Sequence, residues 1–186
     1  MRLRVTILPE EIESARRYSG LSLDHTRKKL EQQQSRHSVR LNRHNIIVGR
    51  VARDVLGRVL GDRGIPTTCE ESSPREWKHF CLATTAGIFL QVRYISNRPN
   101  YVNLLEDVHS FNRRPHDFYI ATTSKDELQT LEIIGYATRD EMERHWPRDF
   151  GQAIFNRYAP LAVLHPFEEL VNELLSGSRA ALQSRS

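Results

Sequence analysis

The run Ile88-Phe89-Leu90-Gln91-Val92-Arg93-Tyr94-Ile95 limits the fold more than any other segment. Successive side chains of a strand point to opposite faces. Ile88, Leu90, Val92 and Tyr94 therefore share one face, and Phe89, Gln91, Arg93 and Ile95 share the other. Both faces are largely apolar, which predicts a central strand covered on both sides. Gln91 and Arg93 are the exceptions, neighbours on a single face. Two long polar groups on a buried strand need partners or a cleft. The strand pairs with a predecessor at 79–84, and Thr85-Ala86-Gly87 supplies the hairpin turn.

Around this hairpin the pattern alternates helix and strand. Residues 3–8 read as a short strand. A helix opens at Pro9-Glu10-Glu11, with proline in the first turn and acids at the positive end of the dipole, and Gly20 is expected to end it. Residues 22–35 permit helix but carry little apolar face, and 32–40 read as an exposed arm. The strongest helix is 46–60. There Ile47, Val51, Val55 and Val59 fall on one line and Val48, Ala52, Leu56 and Leu60 on the next. Further expectations are a strand over 65–71, a helix over 100–111, and strands over 117–122 and 131–137. Thr138-Arg139-Asp140-Glu141 reads as a capping box opening a short helix that Pro147 stops. A final helix starts near Pro166 and closes at Gly177. The expected organisation is a basic N-terminal extension over 1–44, an α/β domain over 45–175 and a frayed tail over 176–186.

With 39% hydrophobic and 27% charged residues in 186, the chain suits one polar globular domain. No apolar run approaches the roughly 18 residues of a membrane span, and the N-terminus lacks the long apolar stretch of a secretory signal. Cys69 and Cys81 belong to no CxxC or His-rich cluster, which argues against structural zinc, haem or iron–sulfur sites and for a reducing, cytoplasmic setting. The GxGxxG, GxxxxGK[ST], HExxH and GxSxG motifs are absent.

The net charge of +4 is unevenly distributed. Residues 1–64 hold 14 Lys/Arg against 7 Asp/Glu, and the rest hold 13 against 16. Guanidinium forks suit phosphate contacts, so Arg27, Lys28, Lys29, Arg36, Arg40, Arg43, Arg50 and Arg53 are the candidate nucleic-acid-binding residues. The expected partner is nucleic acid, DNA in the first place; a homo-oligomer or a protein partner stays open.

Three stretches within 45–145 carry a resemblance: Val48-Gly49-Arg50-Val51-Ala52-Arg53-Asp54-Val55; Gly87-Ile88-Phe89-Leu90-Gln91-Val92-Arg93-Tyr94; and His116-Asp117-Phe118-Tyr119-Ile120 with Ile134-Gly135-Tyr136-Ala137-Thr138-Arg139. Their order resembles the PD-(D/E)xK nuclease superfamily, the restriction-endonuclease-like fold. That resemblance implies a central mixed sheet flanked by helices. It also implies a Mg²⁺ ion held by carboxylates that polarises a phosphodiester and generates hydroxide.

This chain departs from that motif at each position. Gln91-Val92-Arg93 stands where (D/E)xK is expected. His79, with Glu76 three residues before it, stands where the first aspartate belongs. Arg53 takes the helix glutamate position, with Asp54 about 100° off that face. A site of Arg53, His79, Gln91 and Arg93 favours anions and repels Mg²⁺; arginine clamps phosphate but is a poor base. The resulting expectation is a catalytically degenerate nuclease-like protein that binds nucleic acid through a basic surface and needs no cofactor. One alternative is an active Mg²⁺-dependent endonuclease with migrated acids such as Glu76, Asp54 or Glu71. Another is a structural scaffold reusing the fold.

Plainer readings stand beside these. Gln91 and Arg93 pair with acids of a neighbouring helix, His79 is a half-buried strand-start residue, and Arg50 and Arg53 lie on a solvated helix face. Trp77 and Trp146 are core or rim packing, Asp117 is a strand-edge or turn partner, and both cysteines pack as small apolar groups.

Overall fold

In the computed structural model, β4 (Phe89–Tyr94) lies inside a six-stranded sheet, between antiparallel β3 (Cys81–Thr84) and parallel β6 (Phe118–Thr123). The structure describes residues 2–30, 36–69, 81–95, 102–113, 116–124, 128–150 and 154–183, with backbone alone for 21–30, 36–43 and 178–183. With β1 (Leu3–Thr6), β2 (Thr67–Thr68) and β7 (Thr130–Thr138), the sheet order is β1-β7-β6-β4-β3-β2. Only β4 and β6 run parallel. The fold is thus α/β, a mixed sheet flanked by helices, as the two-sided apolar strand requires. The β3–β4 turn closes at Gly87, whose φ of +81° suits glycine, and Gly87 N donates to Thr84 O at 2.9 Å.

One sheet face is covered by α2 (Arg36–Asp62) and α5 (Phe167–Gln183). Val51, Ala52, Val55, Leu56 and Leu60 of α2 share a buried cluster with Leu82, Leu90, Val92, Ile120 and Ile133 of the sheet and with Leu170 and Leu174 of α5. Fully burying each aliphatic side chain stabilises by about 1.5–3 kcal/mol. The opposite face carries a smaller sheet, β5 (Asn103–Asp107), β9 (Phe155–Pro160) and β8 (Arg148–Asp149), with short helices α3 (Val108–Arg113) and α4 (Arg139–Glu143). Its core joins Leu104, Phe111, Met142 and Ala159 to Ile95, Tyr119, Ala121 and Ala137 of the main sheet. The β4–β6 crossover runs through β5 and α3.

Several expectations give way. The helix expected over 100–111 is β5 followed by α3, because Leu104 and Glu106 alternate inward and pair with β9. α1 (Pro9–Leu30) runs through Gly20, whose Cβ position is open, so nothing there demands a turn. α5 likewise passes Gly177 and includes residues assigned to the frayed tail. The boundary expected at 44/45 falls inside the continuous α2. Residues before it belong to the folded unit: β1 pairs with β7, Ile7 and Ala15 are core, and Glu11 accepts from Arg58 Nε at 2.9 Å. Trp146 is 90% exposed rather than packed, and Cys69 is also exposed.

Other local readings hold. Thr138 and Glu141 form the reciprocal capping box of α4, and the Asp117 carboxylate accepts from Phe89 N at 2.7 Å across the β4–β6 edge. No described helix is long and apolar enough to cross a membrane.

Candidate functional site

Gln91 and Arg93 point away from α2, into the layer between the two sheets. Alternation dictates this, since Leu90 and Val92 face α2. The β4–β6 register places Tyr119 beside Gln91 and Ala121 beside Arg93, and the β3–β4 register places Cys81 on the other side of Gln91. The Gln91 side chain is fully buried, yet among the described residues neither its amide nitrogen nor its oxygen has a hydrogen-bond partner.

Arg93 does find an acid, from a strand of the facing sheet rather than a helix. Its Nε and Nη2 both engage the Glu106 carboxylate, a two-pronged contact to a group 1% exposed. Burial pushes the Glu106 carboxyl above its ordinary range, and the charge and hydrogen bond of Arg93 oppose that rise. The pair is therefore a neutralised unit, and the Arg93 charge is largely answered.

The remaining wall is aromatic and cationic. Phe111 stacks on Tyr119 with centroids 5.5 Å apart, and His116 meets Tyr119 edge-on at 5.8 Å. The Tyr119 hydroxyl is buried and lacks a partner among the described residues. Burial, reinforced by the Glu106 charge, pushes its phenol well up, so it remains a neutral donor. Arg139 lies 4.2 Å over the Phe111 ring, and its Nε bonds Glu143 at 3.1 Å. Arg157 is the β9 neighbour of Glu106 and stands 5.8 Å from the same ring. Its Nη1 donates to the carbonyls of Glu143 (3.2 Å) and His145 (3.1 Å), while its Nε is buried and unpaired among the described residues.

The sequence-predicted site residues do not all meet here. Arg53 sits on α2, the helix covering the other sheet face, and is 1% exposed instead of solvated. It holds Asp54 Oδ1 through Nε (3.0 Å) and Nη2 (2.7 Å), and Arg50 Nε donates to Oδ2 at 3.3 Å. Arg50 also covers the Tyr18 ring at 4.5 Å. With two guanidinium groups on its carboxylate, Asp54 is a poor ligand for a hard cation. Among the described residues no group of three or more His, Cys, Asp or Glu could hold a metal ion. Glu71, Glu76, Trp77 and His79 lie outside the described residues.

Arg27, Lys28 and Lys29 lie in the last turns of α1, and Arg36, Arg40 and Arg43 in the first turns of α2. These consecutive helices pack on one another, so all six cationic residues belong to the joined end of the pair. Sequence reasoning missed Glu106, Tyr119, Arg139 and Arg157. The available signal for Glu106 was Arg93 itself, because a guanidinium on a covered strand requires an acid.

Comparison with protein-family models, with curated proteins and with solved structures finds no match to this chain, so its functional reading rests on this layer and on the basic helix pair.

Proposed function

We propose that the chain is a nuclease-like scaffold without a hydrolytic metal centre, and that it binds DNA through the basic joined end of α1 and α2. The element order supports the scaffold reading: helix α2, the meander β2-β3-β4, then a crossover to β6 lying parallel beside β4. The resemblance to restriction-endonuclease-like proteins implies a central mixed sheet flanked by helices, and a mixed sheet between helices is compatible with it. The observation that carries the reading is the chemistry of β4. Where a hydrolytic ion needs a carboxylate and a neighbouring lysine, the strand offers the Gln91 amide and an Arg93 engaged with Glu106. A neutral carbonyl and a paired guanidinium neither attract Mg²⁺ nor activate water.

Binding through phosphate contacts releases counterions, so affinity falls as salt rises. Replacing Arg27, Lys28 and Lys29 together by glutamate is expected to weaken binding of a short duplex at least about 10-fold at low salt. It should also flatten the slope of log affinity against log salt by about 2–3. Fluorescence anisotropy across a salt series checks this, with the melting temperature as the control for folding. Unchanged affinity and slope in the triple variant would remove the helix pair from the binding surface.

A further inference from the structure

The small sheet runs β5-β9-β8, with β9 in the middle. Leu104 and Ala159 turn inward to the main sheet, and α3 and α4 pack on that same side through Phe111 and Met142. Alternation then turns Leu105 and Asp107 of β5, Asn156 and Tyr158 of β9 and Arg148 of β8 outward. All of these but Asn156 are exposed or half-buried. Tyr158 stands at the centre of the face, with the His145 ring stacked on it at 4.9 Å and Phe150 edge-on at 5.2 Å. The residue after His145, Trp146, is 90% exposed. Aromatic groups gathered on a sheet face that meets solvent mark an interaction surface.

The charges say what this surface fits. Asp107, Asn156 and Arg148 form one row across the three strands, with the acid at the β5 edge and the base at the β8 edge. Asp107 Oδ1 accepts from Ser110 N at 2.9 Å, which holds the carboxylate at that edge. One charge of each sign gives a phosphate chain no net attraction to the row. A second copy is matched by it. A half-turn about an axis along β9 lays β5 of one copy over β8 of the other. Each Asp107 then meets the partner's Arg148, Tyr158 meets the partner's Tyr158, and Leu105 faces the partner's His145 and Trp146. Strand directions stay aligned, as face-to-face sheets prefer. A half-turn about an axis across the strands would instead put like charges at the same edge.

We propose that the outward face of the small sheet is a two-fold interface between copies of this chain, matched by Asp107 against Arg148. Such a contact uses the same patch on both subunits. The face is about 17 Å along β5 and about 14 Å across three strands. That is small beside the roughly 800 Å² per partner of a standard interface, so the dimer is weak, with a dissociation constant on the order of 10–100 μM. The face lies on the side of the main sheet opposite α2. The interface therefore does not depend on the DNA-binding reading, and a dimer carries two basic helix ends.

Sedimentation equilibrium of the full chain without nucleic acid, across about 1–500 μM, is the test. The parent should pass from monomer toward dimer. Arg148→Asp and Asp107→Lys each set like charges together twice and should weaken association at least about 100-fold, leaving each variant monomeric. Mixed in equal amounts, the two variants should associate about as well as the parent, because an acid then meets a base at both contacts. A variant that merely misfolds is not rescued by its counterpart. Asp107→Lys gives up the Ser110 bond, so should it fail to fold, Arg148→Asp decides alone, since Arg148 is exposed. The proposal is overturned if the parent stays monomeric, if Arg148→Asp associates as the parent does, or if two folded variants show no recovery on mixing. A monomeric parent whose tryptophan fluorescence is quenched by single-stranded DNA, with no quenching in Trp146→Phe, would assign the face to a nucleic-acid strand instead.

Discussion

Arg93→Met is expected to destabilise the protein by about 3–5 kcal/mol. The cause is the carboxylate left behind. Glu106 is 1% exposed, and its guanidinium partner is the main influence opposing desolvation. Replacing both partners, as in Arg93→Met with Glu106→Leu, leaves no stranded charge and should recover most of the loss.

The pH dependence has a definite sign. The folded-state carboxyl of Glu106 lies above its unfolded value, so its contribution to stability is fully present below the unfolded value and is lost as pH rises through the folded one. Without Arg93 the folded value climbs further. The penalty of the single variant should therefore be smallest in acid and grow toward neutrality. Urea unfolding at pH 5 and pH 8 measures this. A penalty independent of pH, or a double variant no more stable than the single, would contradict the assignment.

Gly135→Ala is expected to cost about 3 kcal/mol. Gly135 sits opposite the register shift between Ala121 and Thr122 in the β6–β7 ladder. An added Cβ would lie 2.5 Å from the His165 carbonyl oxygen and 3.0 Å from the Leu164 Cβ. That carbonyl cannot retreat cheaply, because it accepts from Tyr136 N at 3.0 Å while His165 N donates back at 2.9 Å. The segment is also held by His165 Nε2 against Glu141 at 2.8 Å. The clash therefore falls on backbone that joins β7 to the start of α5. Thermal unfolding with intact secondary structure at low temperature is the measurement, and a loss below about 1 kcal/mol would mean the strand relaxes more freely than these contacts allow.

Much of the fold was legible because its signals are local. The doubly apolar β4, the Gly87 turn and the Thr138–Glu141 box each depend on residues within a few positions of one another. The 100–111 region was not, and the reason is physical. Val102, Leu105 and Val108 mimic one face of a helix, while the burial of Leu104 and Glu106 follows from β9, more than forty residues downstream. Pairing across that distance leaves little trace in a short window.

Glycine misled for a related reason. Gly20 and Gly177 stand within helices that tertiary packing carries through, and neither is among the glycines with positive φ. The site was half visible. Gln91 and Arg93 were conspicuous as polar groups on an apolar strand, but the groups that surround them come from α3, α4, β5, β6 and β9. Arg53 was misplaced because a charge on a helix reads as solvated, whereas here it is buried against the carboxylate of Asp54.

On the proposed reading, β4 presents an amide and a guanidinium group where a hydrolytic ion requires clustered carboxylates. The most direct test of that reading incubates the purified chain with single- and double-stranded DNA in Mg²⁺ and in Mn²⁺. Salt-sensitive binding without divalent-dependent cleavage is the predicted result. Divalent-dependent cleavage that disappears in both Glu76→Ala and Gln91→Ala would contradict it, for those side chains would then serve a working metal centre.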